Sequence, residues 1–91
     1  MKSNIPNGHS SVAITLFLFI AMENLRGAPP SLKVVFASVD FSEHGVRPHI
    51  HAFLNSGLCE LLPSHRDRRV KLLMATPLMV KKIQELSLLK I

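Results

Sequence analysis

The stretch from residue 36 to residue 54 constrains the fold most, because two runs of alternating apolar and polar side chains flank a polar connector containing Gly45. This pattern is typical of a β-hairpin with a longer loop. The two predicted strands cover residues 32–41 and 48–54. If residues whose numbers sum to 89 face each other, one face of the hairpin is wholly apolar, and a shift of one residue would destroy that separation.

The second face of the predicted hairpin carries the candidate site. His49 and His51 flank Ile50, so both imidazoles point to the same side of a strand. In the assumed register Asp40 lies opposite His49. Two imidazoles and a carboxylate on one face can bind a single divalent metal ion. The pattern therefore predicts a metal site formed by His49, His51 and Asp40, and the alternative is a pair of solvent-facing histidines.

Basic charge is concentrated at the carboxyl end of the chain. The formal net charge is +5 at pH 7, and the whole excess lies in residues 63–91, because residues 1–62 contain equal numbers of basic and acidic side chains. Such a segment suits an anionic partner. We expect phosphate contacts from four residues, which are Arg66, Arg68, Arg69 and Lys71. A basic face that is merely solvated is the alternative.

Composition predicts one small domain. Hydrophobic residues make up 47% of the 91 residues, which is enough to form a core. Residues 1–11 are polar and predict a disordered terminus, while residues 12–91 predict a single α+β domain. The lone Cys59 excludes an internal disulfide and a cysteine-based zinc site.

One helix is predicted before the hairpin and one after it. Residues 12–22 carry no charge and continue to Gly27, which predicts a helix ending near Arg26. A strand, a secretion signal or a short anchor are the alternatives for this run, which is too short to span a bilayer as a helix. Thr76 and Pro77 predict the start of an amphipathic C-terminal helix.

The C-terminal helix carries an apolar stripe that could bind a partner protein or a second copy, and less readily a membrane surface. Because a two-stranded hairpin alone is marginal, we expect a third strand from residues 12–20 or from residues 70–75, or else a partner or poor order.

Residues of the hairpin occur in the order of a known motif, namely Phe36-Ala37, Asp40-Phe41, Gly45, Arg47-Pro48-His49-Ile50-His51-Ala52 and Phe53-Leu54. This order resembles the second motif of the HUH replication-initiator nucleases, and most of all the microvirus-type replication proteins. The resemblance covers about residues 18–54. In that family the two histidines stand on a strand and hold a divalent metal ion on the scissile phosphate, where a tyrosine attacks the phosphorus.

The resemblance implies that His49 and His51 bind Mn²⁺ or Mg²⁺, with Asp40 as a third ligand. The chain has no tyrosine, and therefore no nucleophile of the kind that this family uses. We expect a fragment or remnant of a single-stranded DNA replication initiator, cytoplasmic in its host cell, that binds metal and DNA but does not form a covalent adduct. The alternative is a small basic interaction or membrane-associated protein whose histidines are incidental.

Overall fold

The computed structural model describes the backbone of residues 9–90 and the side chains of residues 12–85. Its elements in chain order are α1 (His9–Leu25), α2 (Leu32–Ser38), α3 (Glu43–Asn55), β1 (Cys59–Pro63), β2 (Lys71–Ala75) and α4 (Pro77–Lys90). The α+β class, the N-terminal helix, one antiparallel hairpin and the C-terminal helix are thereby confirmed. The predicted disordered terminus falls largely outside the described residues, since α1 begins at His9.

The predicted position of the hairpin is wrong. Residues 32–54 form α2, a short turn and α3 instead of two strands. Two serines explain the difference, because Ser31 Oγ accepts a hydrogen bond from the Val34 amide at 3.1 Å and Ser42 Oγ accepts one from the Gly45 amide at 3.2 Å. Such N-caps satisfy amide groups that a helix leaves without partners at its start.

The apolar positions of α3 also fit a helical period. Val46, Ile50 and Phe53 are buried, and their spacing of four and then three residues places them on one helix face. The same residues satisfy an alternating pattern only in part. Local capping together with this face therefore outweighs the β-propensity of the run.

The hairpin of the protein lies later in the chain. β1 pairs with β2 in an antiparallel register that runs from Cys59 opposite Ala75 to Pro63 opposite Lys71. A strand is present at the second of the two expected places, as β2, but it pairs with β1 and not with the predicted hairpin at residues 32–54. Ser31 forms a single bridge with Leu72, so the chain before α2 lies along the other edge of β2.

The core forms where the first three helices cover one side of the hairpin. The buried apolar residues are Leu16, Ile20, Ala21, Val35, Val46, Ile50, Phe53, Cys59, Leu73 and Met79. The Phe17 and Phe53 rings meet edge to face with centroids 6.2 Å apart, and this contact joins α1 to α3. Residues 12–22 are therefore helix within the domain. Among the described residues, no helix is both long and apolar enough to cross a membrane.

Asn24 joins the end of α1 to β2. Its side-chain Nδ2 donates to the Ile20 carbonyl at 2.8 Å and to the Leu73 carbonyl at 3.0 Å, and its Oδ1 accepts from the Ala75 amide at 2.9 Å. One partly buried amide side chain thereby satisfies two backbone groups of β2. This contact holds the hairpin against the helices.

Candidate nucleic-acid interface

The two helices α2 and α3 follow one another in the chain with a four-residue turn between them. α2 ends at Ser38, residues 39–42 form the turn, and α3 begins at Glu43. This is also the order of elements in a helix-turn-helix, whose second helix enters the major groove in DNA-binding proteins. The buried face of α3 packs against α1, so its opposite face remains exposed. That face comprises Glu43, His44, Arg47, Pro48, His51, Ala52 and Asn55.

Arg47 is the most constrained polar side chain on this face. Its guanidinium forms an ion pair with Glu43 one turn earlier and lies 5.1 Å from the centroid of the Phe36 ring in α2. A cation at this distance from an aromatic face is attracted to the ring. The guanidinium is thereby held on the second turn of α3, with one nitrogen bonded to Glu43 and the group about half exposed to solvent.

A shallow cavity of about 80 Å³ connects this face to the hairpin. It is lined by Arg47 and His51 of α3, by Leu32 and Phe36 of α2, and by Leu61 of β1. Because Leu61 lies two residues before the end of β1, the exposed face of α3 and the hairpin border one another. The two features therefore form one continuous surface.

The hairpin loop, residues 64–70, is folded by its own polar groups. The Ser64 amide donates to the Val70 carbonyl at 2.8 Å, and the Val70 amide donates to the Asp67 carbonyl at 2.9 Å. Asp67 Oδ1 accepts from the Arg69 amide at 3.0 Å and from Arg69 Nε at 3.2 Å, while Oδ2 accepts from Arg69 Nη2 at 3.3 Å. These bonds from the Arg69 side chain and amide lower the pKa of Asp67.

The four residues predicted to contact nucleic acid lie together in this loop and at the start of β2. Arg66, Arg68, Arg69 and Lys71 are all exposed. Arg69 is held by Asp67, whereas Arg66 and Arg68 form no ion pair with any residue whose side chain the structure describes. Residues 64–71 therefore present a net charge of +3 to solvent.

The predicted metal residues are not brought together in the way the strand prediction required. His49 and His51 lie on α3, where side chains two positions apart point in directions that differ by about 200°. Asp40 lies in the turn before that helix. His49 is half-buried, and His51 is exposed beside the small cavity. Within residues 12–85 there is no group of three potential metal ligands, so the metal site stays a prediction without its original geometric argument.

Cys59 is a buried thiol at the start of β1. Burial, and to a lesser degree the charge of Glu60, raises the pKa of this thiol to about 11. A thiol in such surroundings stays protonated and behaves as a small apolar residue. Cys59 therefore belongs to the core.

The exposed face of α3 was not among the functional features predicted from the sequence. The sequence did contain a signal for helix α3, namely Ser42 as a helix cap and the helical spacing of Val46, Ile50 and Phe53. Comparisons with protein-family models, with curated proteins and with solved structures gave no match. Function is therefore argued from the geometry of this surface alone.

Proposed function

We propose that this chain binds duplex DNA, with α3 in the major groove and the hairpin loop on the phosphate backbone. The observation that carries the proposal is the order of its elements, a helix-turn-helix followed directly by a β-hairpin with a basic loop. This order is that of a winged helix-turn-helix, in which the hairpin is the wing. The basic loop then extends the surface offered by the reading helix.

The exposed face of α3 carries side chains suited to reading base edges. Arg47 can donate two hydrogen bonds to the O6 and N7 acceptors of guanine, the commonest specific contact in the major groove. His44 and His51 lie one turn before and one turn after it on the exposed face and can donate or accept. The major groove is about 12 Å wide and admits a helix of this kind.

The hairpin loop supplies positive charge that attracts DNA of any base sequence. Arg66, Arg68 and Lys71 are exposed and would contact phosphates, which position a protein on the duplex. Three such contacts give a slope of about −2.7 in a plot of log affinity against log salt, to which contacts from the helices add. Binding should therefore weaken steeply as salt is raised.

Duplex DNA is favoured over a single strand by the placement of the aromatic residues. All five phenylalanines are buried or half-buried, so none offers an open ring for stacking of unpaired bases. The single-stranded DNA initiator hypothesis also relied on two histidines on one strand, and both lie on a helix. A helix exposed along one face suits a groove better than an unpaired strand.

Fluorescence anisotropy with a labelled duplex and the matching single strand tests the proposal. We expect tighter binding to the duplex, and a weakening of at least tenfold in an Arg66→Gln/Arg68→Gln variant at low salt. The matched control is Lys81→Gln/Lys82→Gln, which removes the same charge from the exposed surface of α4. Equal losses in both variants, or a preference for the single strand, would refute the proposal.

A selection from random duplexes tests the reading helix separately. Wild-type protein should enrich a short motif, and Arg47→Ala should relax the preference at one base pair while keeping the salt dependence. If no motif is enriched although the loop variant still weakens binding, the chain binds DNA through charge alone and the base-reading part of the proposal fails.

A further inference from the structure

The outer side of α1 carries an apolar stripe that the described part of the chain leaves exposed. Ile14, Leu18, Met22 and Leu25 are 56%, 41%, 51% and 59% exposed. They are spaced by four, four and three residues, so they lie along one side of the helix. The opposite side of α1 packs into the core through Leu16 and Ile20. Contiguous exposed apolar surface of this kind marks an interaction site.

We infer that this stripe binds the same stripe of a second copy of the chain, with the two α1 helices antiparallel. In such a pair, two residues face each other across the interface when their numbers add up to about 40. Leu18 then faces Met22 of the second copy, and Ile14 faces Leu25, so each apolar side chain meets another one. A two-fold axis requires this kind of self-complementary surface.

The distribution of charge allows a second copy to approach this face. The chain carries +5, so two copies repel each other where their basic surfaces meet. Residues 10–22 carry no charge. At the end of α1 the Glu23 carboxylate pairs with Arg26 at 3.3 Å, so these two opposite charges next to the stripe offset each other. Two copies can therefore approach here without like-charge repulsion.

The size of the stripe sets the strength of the dimer. It extends along about 16 Å of helix, and four partly covered side chains supply on the order of a few hundred Å². A standard stable interface buries about 800 Å² on each partner. The dimer should therefore be weak in free solution, with a dissociation constant on the order of 10–100 µM.

Sedimentation velocity without DNA, over a protein concentration range of about 5–500 µM, tests the inference. We expect the average mass to rise from that of one 10.1 kDa chain towards that of two. Leu18→Glu should stay monomeric throughout, because it places like charges and desolvated carboxylates in the contact. Val34→Glu is the matched control, because Val34 is 46% exposed on α2, away from the stripe. The Val34→Glu chain should dimerise as the wild type does.

Circular dichroism of each variant shows whether the fold is kept. If Leu18→Glu unfolds, Met22→Glu provides the same test at the facing position. A wild-type chain that stays monomeric at 500 µM, or equal loss of dimer in Val34→Glu, would overturn the inference. Because no DNA is present, either result leaves the DNA-binding proposal to its own experiment.

Cysteine pairing tests the antiparallel direction. Chains carrying Leu18→Cys are mixed with chains carrying Met22→Cys and oxidised mildly, while the buried Cys59 stays unreactive. We expect the mixed disulfide dimer to form at least fivefold faster than either symmetric dimer. Faster formation of the Leu18→Cys symmetric dimer would indicate parallel helices and would overturn the proposed arrangement.

Discussion

The guanidinium of Arg47 lies 5.1 Å from the centroid of the Phe36 ring, so a cation of α3 rests on an aromatic side chain of α2. The contact joins α2 and α3 by their side chains. It also limits the rotamers of Arg47 before any ligand arrives. A side chain that is already ordered loses less entropy when it binds.

Phe36→Leu should lower the affinity for a preferred duplex by about two- to fivefold, because it removes a cation–π contact of about 0.5–1 kcal/mol while keeping an apolar side chain. Arg47→Ala should cost about tenfold or more. Anisotropy titrations of both single variants and of the double variant form a cycle. In the Arg47→Ala background the Phe36→Leu change should have no further effect, and an undiminished effect there would contradict the role of this contact.

Asp67 should titrate below its ordinary value because Arg69 donates to its carboxylate. A carboxyl group whose pKa is lower in the folded state stabilises the loop above the unfolded-state pKa, and this stabilisation is lost as pH falls through the folded-state pKa. Carbonyl chemical shifts followed by NMR from pH 6 to pH 2 measure the titration. Arg69→Gln should return the pKa of Asp67 towards 3.8, and an unchanged titration in that variant would contradict the assignment.

Asp67→Asn should alter DNA binding in the opposite sense to the loss of an arginine. The change raises the net charge of residues 64–71 from +3 to +4. Affinity for any duplex at low salt should therefore increase, and the salt dependence should steepen. Titrations at several salt concentrations check this. Weaker binding would show that the ordered loop matters more than its charge.

Asn24→Ala should destabilise the fold by about 2–3 kcal/mol. The change leaves the Leu73 carbonyl and the Ala75 amide of β2 without their side-chain partner, and partly buried polar groups without partners are costly. Urea unfolding followed by circular dichroism measures the free energy of unfolding. Asn55→Ala, at an exposed position near the end of α3, is the matched control and should change it by less than about 0.5 kcal/mol.

Cys59 should react slowly with thiol reagents in the native protein. A pKa of about 11 in place of 9.0 reduces the thiolate fraction at pH 8 about a hundredfold, and burial hinders access further. The rate of alkylation by iodoacetamide at pH 8, with and without urea, measures the difference. Rapid reaction of the native chain would show that the start of β1 opens more readily than its packing indicates.

Much of the architecture was predictable from local patterns. The uncharged run before Gly27, the Thr76-Pro77 start and the basic residues around Arg68 all led to predictions about helices and a charged segment near their observed places. These features depend on neighbours within a few residues. For the same reason the four basic residues in the hairpin loop and at the start of β2 could be identified without knowing the fold.

The central segment was different, because its apolar residues fit a strand period and a helical period at once. Ser31 and Ser42 can cap helices or stand in turns, and only the packing of Val46, Ile50 and Phe53 against α1 selects the helix. That selection separated His49 from His51 and placed Arg47 on an exposed face. The candidate metal site and the candidate DNA surface therefore depended on a tertiary contact.

What the sequence by itself determined was the uncharged, apolar character of α1 and the basic character of the segment after Pro63. It could not determine which side of α1 is buried, because apolar residues surround that helix. The tertiary structure decided this by packing Leu16 and Ile20 against the core and leaving Leu18 and Met22 outside. The physical reason is that burial depends on which surfaces meet, and a helix that is apolar on every side contains no local signal of that choice.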